Sequence, residues 1–241
     1  DKALEIKPDD YQAWNNRGIS LDDLGRYEEA ITSYNKALES NPEKYRAWNN
    51  RGNSLYNLGR YEEAISSYDE ALEIKPDDYQ AWTARGTALG SLGRYEDALI
   101  SHEKALEIKP DYELAWYNKG VELRNLGRHE EAIASYDKAL AIKPDDYQAW
   151  NNRGMSLYNL GRYEAAIASY DQALEIKPND HEAWNNRGIF LQKLRRYEAA
   201  IASYDKALAI KPGYEIAKEN RRITVRKLNS PLNRVRTWLQ K

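Results

Sequence analysis

The sequence predicts an all-α fold: an α-solenoid of six 34-residue helix-turn-helix repeats that ends in a capping helix. Two observations predict it. Seven prolines, from Pro8 to Pro212, are spaced by 34 residues without insertion or deletion. The hexapeptide AWNNRG occurs at 13–18, 47–52, 149–154 and 183–188, with the variants AWTARG at 81–86 and AWYNKG at 115–120. A fixed period of this length is typical of repeat architectures, in which each unit packs only against its neighbours.

The elements follow in chain order from the prolines. Residues 1–10 are interpreted as the end of a preceding repeat. The six repeats are predicted at 11–44, 45–78, 79–112, 113–146, 147–180 and 181–214. A capping helix is predicted at 215–229, because Trp and Gly are lost there and charge dominates. A short basic helix or tail is predicted at 230–241, where Val235, Trp238 and Leu239 supply its apolar residues.

The first helix of each repeat has small and large apolar residues on one face. In the first repeat Trp14, Gly18 and Leu21 recur at spacings of four and three, as on one side of an α-helix. Gly25 is expected to end this helix in the left-handed conformation. In the sixth repeat Arg195 replaces that glycine, so we expect its turn to be the weakest or to differ in shape.

The second helix of the repeat is predicted from Tyr27, Ala30, Tyr34 and Ala37, and Pro42 ends it. Capping boxes are predicted where an acceptor side chain precedes a first helix and Gln or Glu follows three residues later. The predicted pairs are Asp9 with Gln12 and Asn179 with Glu182.

This pattern resembles the tetratricopeptide repeat family. The matching positions in the first copy are Trp14, Gly18, Leu21, Tyr27, Ala30, Tyr34, Ala37 and Pro42. The resemblance implies antiparallel helix pairs stacked into a right-handed superhelix, with the first helices lining its concave face. This chain departs from the family by placing a cation where Leu is usual, at Arg17, Arg51, Arg85, Lys119, Arg153 and Arg187. Candidate partners for these cations are the second-helix acids Asp69, Glu103, Asp137, Asp171 and Asp205.

Composition excludes several classes of protein. The chain has no cysteine, which excludes disulfides, thiol nucleophiles and Cys-ligated metals. Its net charge of −2 argues against a general nucleic-acid binder. It has no apolar run near the ~20 residues that span a bilayer, so no membrane association is predicted. We expect a cytoplasmic protein, and a fragment of a longer chain because the first residue is Asp.

No catalytic, metal-binding or cofactor site is predicted. His102, His129 and His181 lie in different repeats, in positions that most other repeats fill with Tyr, so they are interpreted as packing residues. Acid pairs such as Asp9-Asp10 precede first helices, where capping and the helix dipole explain them. We therefore expect a protein that is not an enzyme.

The paired asparagines of AWNNRG are the candidate site. Helical geometry places them on a face other than the one carrying Trp14 and Gly18, and the resemblance makes that face the concave groove. An amide offers a donor and an acceptor, so a ladder of amides could bind the backbone of an extended peptide. The second asparagines are Asn16, Asn50, Asn118, Asn152 and Asn186, interrupted at Ala84; the first are Asn15, Asn49, Asn151 and Asn185. The ladder is similar to one in the superhelix of O-linked N-acetylglucosamine transferases. Asparagines that only bridge repeats are the alternative.

Side-chain specificity is predicted at groove positions that break the repeat consensus, namely Tyr56, Tyr117, Arg124, Met155 and Tyr158. The chaperone-tail class of the family instead clamps a C-terminal carboxylate with basic residues in its first helices. The corresponding positions here hold no lysine, so a carboxylate clamp is not expected.

The predicted function is a protein-protein interaction scaffold that binds an extended peptide in its groove. Two alternatives stay open: a substrate-recruiting or regulatory arm of a larger enzyme, and a scaffold that self-associates through the incomplete repeat at 1–10. A weaker reading assigns the basic segment 218–241 to an acidic partner, a membrane surface or nucleic acid.

Overall fold

A computed structural model describes residues 2–231, and within that range the chain forms fourteen helices and no strand. The predicted helix or tail at 230–241, with Val235, Trp238 and Leu239, lies beyond the described residues from position 232 onward. The helices are α1 (Lys2–Ile6), α2 (Tyr11–Asp23), α3 (Tyr27–Ser40), α4 (Tyr45–Asn57), α5 (Tyr61–Ile74), α6 (Tyr79–Ser91), α7 (Tyr95–Ile108), α8 (Glu113–Asn125), α9 (His129–Ile142), α10 (Tyr147–Asn159), α11 (Tyr163–Ile176), α12 (His181–Lys193), α13 (Tyr197–Ile210) and α14 (Glu215–Leu228).

The chain divides into two compact units, residues 1–126 and residues 127–241. In unit 1 the helices α2 and α3, α4 and α5, and α6 and α7 pack as hairpins, and each second helix also packs on the next first helix. In unit 2 the hairpins are α10 with α11 and α12 with α13, and α14 packs on α13 and α12. Adjacent helix pairs packed in this repeating pattern confirm the predicted all-α solenoid class.

In five hairpins, α2 with α3, α4 with α5, α6 with α7, α10 with α11 and α12 with α13, an aromatic ring lies directly under a glycine. A Cβ atom added to Gly18 would lie 2.4 Å from Cε1 of Tyr34, and one on Gly188 would lie 2.5 Å from Cε1 of Tyr204. Both tyrosines are fully buried. Only glycine lets the first helix approach so near to the ring, because any side chain there would overlap it.

The six-residue spacing from proline to tryptophan has a structural cause. The indole Nε1 of Trp14 donates to the carbonyl of Pro8 at 2.7 Å, and Trp82 donates to Pro76 at 2.9 Å. The same bond recurs at Trp48, Trp116, Trp150 and Trp184. The proline ends one repeat while its carbonyl fixes the tryptophan of the next, so the connecting turn has one geometry throughout.

The turns between first and second helices share one shape. Gly25 has φ +71°, and Arg195 takes the same left-handed region at φ +59°. The amide of Arg195 donates to Gln192 at 3.0 Å, as Gly25 donates to Asp22 at 2.8 Å. The expectation of a differently shaped turn at Arg195 is therefore wrong, since its flanking hydrogen bonds hold the shape; the expected strain stays a prediction.

The predicted N-caps are wrong by one residue. Asp10, not Asp9, accepts the hydrogen bond from the amide of Ala13 at 3.1 Å. Likewise Asp180, not Asn179, caps α12. The cause is the tight turn after each proline, which delays the helix start by one residue.

The cation of each first helix connects neighbouring helices, as expected. The Nε of Arg85 lies 2.6 Å from Oδ1 of Asp69 on α5, and its Nη1 donates to Ser101 on α7 at 2.8 Å. Its guanidinium also lies 5.8 Å from the ring centre of Trp82. Equivalent ion pairs join Lys119 to Glu103, Arg153 to Asp137, Arg187 to Asp171, and Arg221 to Asp205. Each half-exposed pair contributes up to about 1 kcal/mol and fixes the position of one hairpin against the next.

Candidate functional site

A cleft of about 730 Å³ lies on the face of unit 1 formed by α2, α4 and the start of α6. We call it the amide cleft, because five asparagines line it: Asn15, Asn16, Asn49, Asn50 and Asn53. Its other lining residues are Ile19, Tyr45, Arg46, Tyr68, Lys75, Asp77, Asp78, Tyr79, Gln80, Ala81 and Ala84. The cleft brings together four of the predicted site residues, Asn15, Asn16, Asn49 and Asn50.

The amide of Asn49 is held at one end. Its Nδ2 donates to Oδ2 of Asp78 at 3.0 Å, while Oδ1 of Asp78 accepts from the backbone amides of Gln80 and Ala81 as the N-cap of α6. The carbonyl Oδ1 of Asn49 is buried and has no hydrogen-bond partner among the described residues. A buried acceptor without a partner costs roughly 1–3 kcal/mol, so a donor that reached it would recover that energy.

Other amides of the cleft wall are also oriented by neighbours. Asn50 Nδ2 lies 3.5 Å from Oδ1 of Asn15, at the limit of a hydrogen bond, and the side chain of Asn16 is exposed. The ring of Tyr68 lies beside Gly52, and its hydroxyl donates to Oδ1 of Asn53 at 2.8 Å. Sequence reasoning missed Asn53, although it breaks the repeat consensus just as Met155 does.

At one edge of the cleft, two cationic side chains approach the hydroxyl of the same tyrosine. Arg46 Nε donates to the hydroxyl of Tyr45 at 3.1 Å, and Lys75 Nζ lies 3.5 Å from the same oxygen. The hydrogen bond from Arg46 lowers the pKa of Tyr45, with a further contribution from Lys75. This edge was also missed from the sequence. The signal was PEKYR at 42–46, where the first, third and fifth repeats have PDDYQ.

In unit 2 the asparagines differ from copy to copy. Asn151 Nδ2 lies 3.5 Å from Asp180 and its Oδ1 is buried without a partner among the described residues, which repeats the arrangement of Asn49. In the last copy Asn185 Oδ1 accepts from Asn220 on α14 at 3.0 Å, and Asn186 donates to the hydroxyl of Tyr170 at 3.3 Å. These last amides bridge neighbouring helices.

The remaining predicted residues lie outside the amide cleft. Asn118 donates to Thr87 at 3.1 Å. Tyr56 lies against Tyr61 and within 3.3 Å of Ser91, and Tyr158 stacks on Phe190. The remaining four have half-buried side chains: Tyr117, Arg124, Asn152 and Met155. Their role in binding stays a prediction.

His102 and His181 occupy packing positions. His102 is fully buried beneath Gly86, and neither ring nitrogen has a hydrogen-bond partner among the described residues. Burial lowers the pKa of His102 to about 4, so the ring is neutral near pH 7. His181 packs edge-on against Tyr214 at 4.8 Å. Over residues 2–231 no three acidic or histidine side chains form a metal-binding group, and no helix is long and apolar enough to cross a membrane.

Comparison with known proteins agrees with the repeat pattern. A family model described as tetratricopeptide repeat matches residues 1–43, 15–79, 50–113, 83–147, 117–181 and 151–215. The structure of YrrB, "a TPR protein with an unusual peptide-binding site", is 26% identical, has a TM-score of 0.67, and the match covers 78% of this chain and 97% of that one. PilW, described as a type IV pilus biogenesis factor, is 22% identical with a TM-score of 0.77, over 87% of this chain and 97% of that one. MamA is 24% identical with a TM-score of 0.64, over 67% and 94%. No match was found among curated proteins.

Proposed function

The chain belongs to the tetratricopeptide repeat family, and we propose that it is a protein-interaction scaffold whose amide cleft binds an extended segment of a partner protein. The observation that carries the proposal is the set of five asparagines around one cleft. Amide side chains pair with peptide N–H and C=O groups regardless of sequence, which suits recognition of a backbone. Asn49 in particular keeps an acceptor with no partner among the described residues.

The expected affinity follows from the number of amides. A net hydrogen bond contributes roughly 0.5–1.5 kcal/mol, so five would contribute at most about 7 kcal/mol before ordering costs. This upper limit corresponds to a Kd no tighter than about 10 μM. Tighter binding requires side-chain contacts, for which Tyr45, Arg46 and Tyr79 line the same cleft.

The similarity to YrrB supports a peptide as the ligand class. YrrB is described as having an unusual peptide-binding site, and the two chains share 26% identity over most of their lengths. Asn118 in unit 1 and, separately, Asn152 in unit 2 are proposed as further peptide contacts.

The proposal is tested by selecting binders from a displayed library of random 12-residue peptides and measuring fluorescence anisotropy with the selected peptides. We expect the triple variant Asn16→Ala, Asn50→Ala, Asn53→Ala to bind at least about tenfold more weakly, as loss of several hydrogen bonds requires. The matched control is Asn57→Ala, an exposed asparagine at the end of α4 that does not line the cleft. Unchanged affinity of every selected peptide for the triple variant, at unchanged helicity, would refute the proposal.

A further inference from the structure

Part of the amide cleft has a counterpart 102 positions further along the chain, in unit 2. Residues 47–62 and 149–164 are identical except at one position, where Asn53 corresponds to Met155. Every residue that lines the amide cleft from Tyr45 onward therefore has an equivalent within unit 2, on α10, α11, α12 and the turn before α12. We call this surface the unit 2 site and define it by Tyr147, Asn151, Asn152, Met155, Asp180 and Glu182.

The unit 2 site keeps the polar arrangement that holds Asn49 in unit 1. Oδ1 of Asp180 accepts from the backbone amides of Glu182 and Ala183 at 3.1 and 3.0 Å, as the N-cap of α12. Oδ2 of Asp180 lies 3.5 Å from Nδ2 of Asn151. Oδ1 of Asn151 is buried without a partner among the described residues, so an N–H group that reached it would gain a hydrogen bond.

The aromatic wall of the site is also repeated. Nζ of Lys177 donates to the hydroxyl of Tyr147 at 3.2 Å and lies 4.2 Å from the centre of its ring. In unit 1 Lys75 approaches the hydroxyl of Tyr45 at 3.5 Å. One amide with an unused acceptor and one lysine-bound tyrosine therefore occur together in both units.

The single substitution between the two segments changes the chemistry of the wall. In unit 1 the hydroxyl of Tyr68 donates to Asn53. In unit 2 the equivalent hydroxyl, on Tyr170, accepts instead from Nδ2 of Asn186 at 3.3 Å. The half-buried Met155 thus replaces a hydrogen-bonded amide by a thioether, whose flexible and polarizable surface adapts to apolar side chains.

The charge of the site differs as well. The charged residues that line the amide cleft are two cations and two acids, which balance. In unit 2 Gln148 replaces Arg46 and Glu182 replaces Gln80, while Asn179 replaces Asp77. The side chain of Glu182 is 71% exposed and lies 4.0 Å from Nε2 of His181. With one lysine against two acids and a neutral histidine, the unit 2 site carries a net charge of −1.

We propose that the unit 2 site binds a second extended peptide segment, one that carries basic and apolar side chains. The proposal rests on the proposed function, because it uses the same recognition of a peptide backbone by amides, and it adds a separate site with its own side-chain preference. Asn151 and Asn152 contact the backbone, Met155 contacts an apolar side chain, and Glu182 attracts a basic one. A chain with two such sites can hold two segments of one partner or of two partners.

The test selects peptides on a protein whose amide cleft is already disrupted. The triple variant Asn16→Ala, Asn50→Ala, Asn53→Ala is used with the same displayed library of random 12-residue peptides. We expect binders that are enriched in Lys, Arg and apolar residues. In fluorescence anisotropy, adding Met155→Asn and Glu182→Gln should weaken these peptides at least about tenfold, because an apolar contact and a charge attraction are both lost.

Two matched controls lie in unit 2 outside the site. They are Asn159→Ala, at the exposed end of α10, and Glu198→Gln, an exposed glutamate on α13, and neither should change the affinity. Three results would overturn the proposal: no binders selected on the triple variant, binders enriched in acidic residues, or affinities unaffected by Met155→Asn with Glu182→Gln at unchanged helicity. Peptides that are selected on the original protein and lose affinity in the triple variant would still support the amide cleft, so the two proposals fail separately.

Discussion

The segments 47–52 and 183–188 have the same six residues, AWNNRG, but use them differently. In α4 the amide of Asn49 is held by Asp78, and Asn50 lines the cleft beside it. In α12 Asn185 and Asn186 contact Asn220 and Tyr170 instead. The glycine of the hexapeptide packs in the same way in both copies, since Gly52 and Gly188 each lie over a buried tyrosine ring.

The difference arises from the following repeat. Asp78 caps α6 and turns its second oxygen to Asn49, whereas the equivalent residue before α14 is Tyr214, which caps nothing with its side chain. Asn185 therefore pairs with Asn220. An identical local sequence can thus supply a cleft wall in one place and a bridge between helices in another.

The largest expected effect tests the part that the two copies share. Gly52→Val and Gly188→Val should each destabilise the protein by roughly 3 kcal/mol, because the new side chain would overlap Tyr68 or Tyr204. Urea denaturation followed by circular dichroism measures both. A loss at one site only would show that the two copies do not pack alike.

A smaller effect is expected at the third repeat, where the hexapeptide is AWTARG and His102 replaces the buried tyrosine. The folded-state pKa of His102 is lowered to about 4, so the fold favours the neutral ring. The stability that the neutral buried ring contributes is fully present above the ordinary histidine pKa near 6.5 and is lost as pH falls toward 4. Stability should fall by about 2 kcal/mol between pH 7.5 and 5.

The control for this pH dependence is His102→Phe, which fills the space with an aromatic ring that does not titrate. Thermal unfolding of both proteins from pH 7.5 to 5 separates the histidine from the carboxylates. If the stability of the two proteins depends on pH in the same way, His102 is not the cause of the pH dependence.

A third effect, of about 1 kcal/mol on the free energy of unfolding, distinguishes the helix cap made by Asp78 from its hydrogen bond to Asn49. Asp10→Ala removes a cap only, whereas Asp78→Ala removes a cap and the partner of Asn49. Asp78→Ala should therefore cost about 1 kcal/mol more. In an Asn49→Ala background that excess should disappear; an excess that persists would assign it to something other than the amide bond.

The smallest effect on stability is expected at Asn16, whose side chain is exposed. Asn16→Ala should change the free energy of unfolding by less than about 0.5 kcal/mol while weakening binding of peptides selected for the cleft. Asn185→Ala is the comparison, because it removes the acceptor of Asn220 and should destabilise. Equal stability losses at the two sites would remove the distinction between cleft and bridge.

Much of the fold was predictable because it depends on contacts within one period. The glycine over tyrosine, the Gly25 turn and the ion pairs such as Arg85 with Asp69 all lie at fixed separations in the sequence. The N-caps were misplaced by one residue at Asp10 because the length of the turn after proline is not visible in the pattern. Arg195 shows that a local preference can yield to surrounding hydrogen bonds.

The candidate site was predicted in part. Asn15, Asn16, Asn49 and Asn50 do line one cleft, but Asn53, Arg46 and Lys75 were not selected, although Asn53 and Arg46 break the repeat consensus. Tyr56 and Tyr158 were selected by the same criterion, yet the contacts described for them are with neighbouring side chains of the fold: Tyr61 and Ser91 for Tyr56, and Phe190 for Tyr158. A break in the consensus thus marks an individual position without telling whether a ligand or a neighbouring helix requires it.

The sequence by itself determined the helices, their hairpins and the period at which they stack, because glycine, proline and apolar spacing act over a few residues. Only the tertiary structure decided what each asparagine does and which residue faces it 29 to 35 positions away. The physical reason is that an amide is satisfied by whichever donor or acceptor the next helix places within about 3 Å, and that placement results from packing.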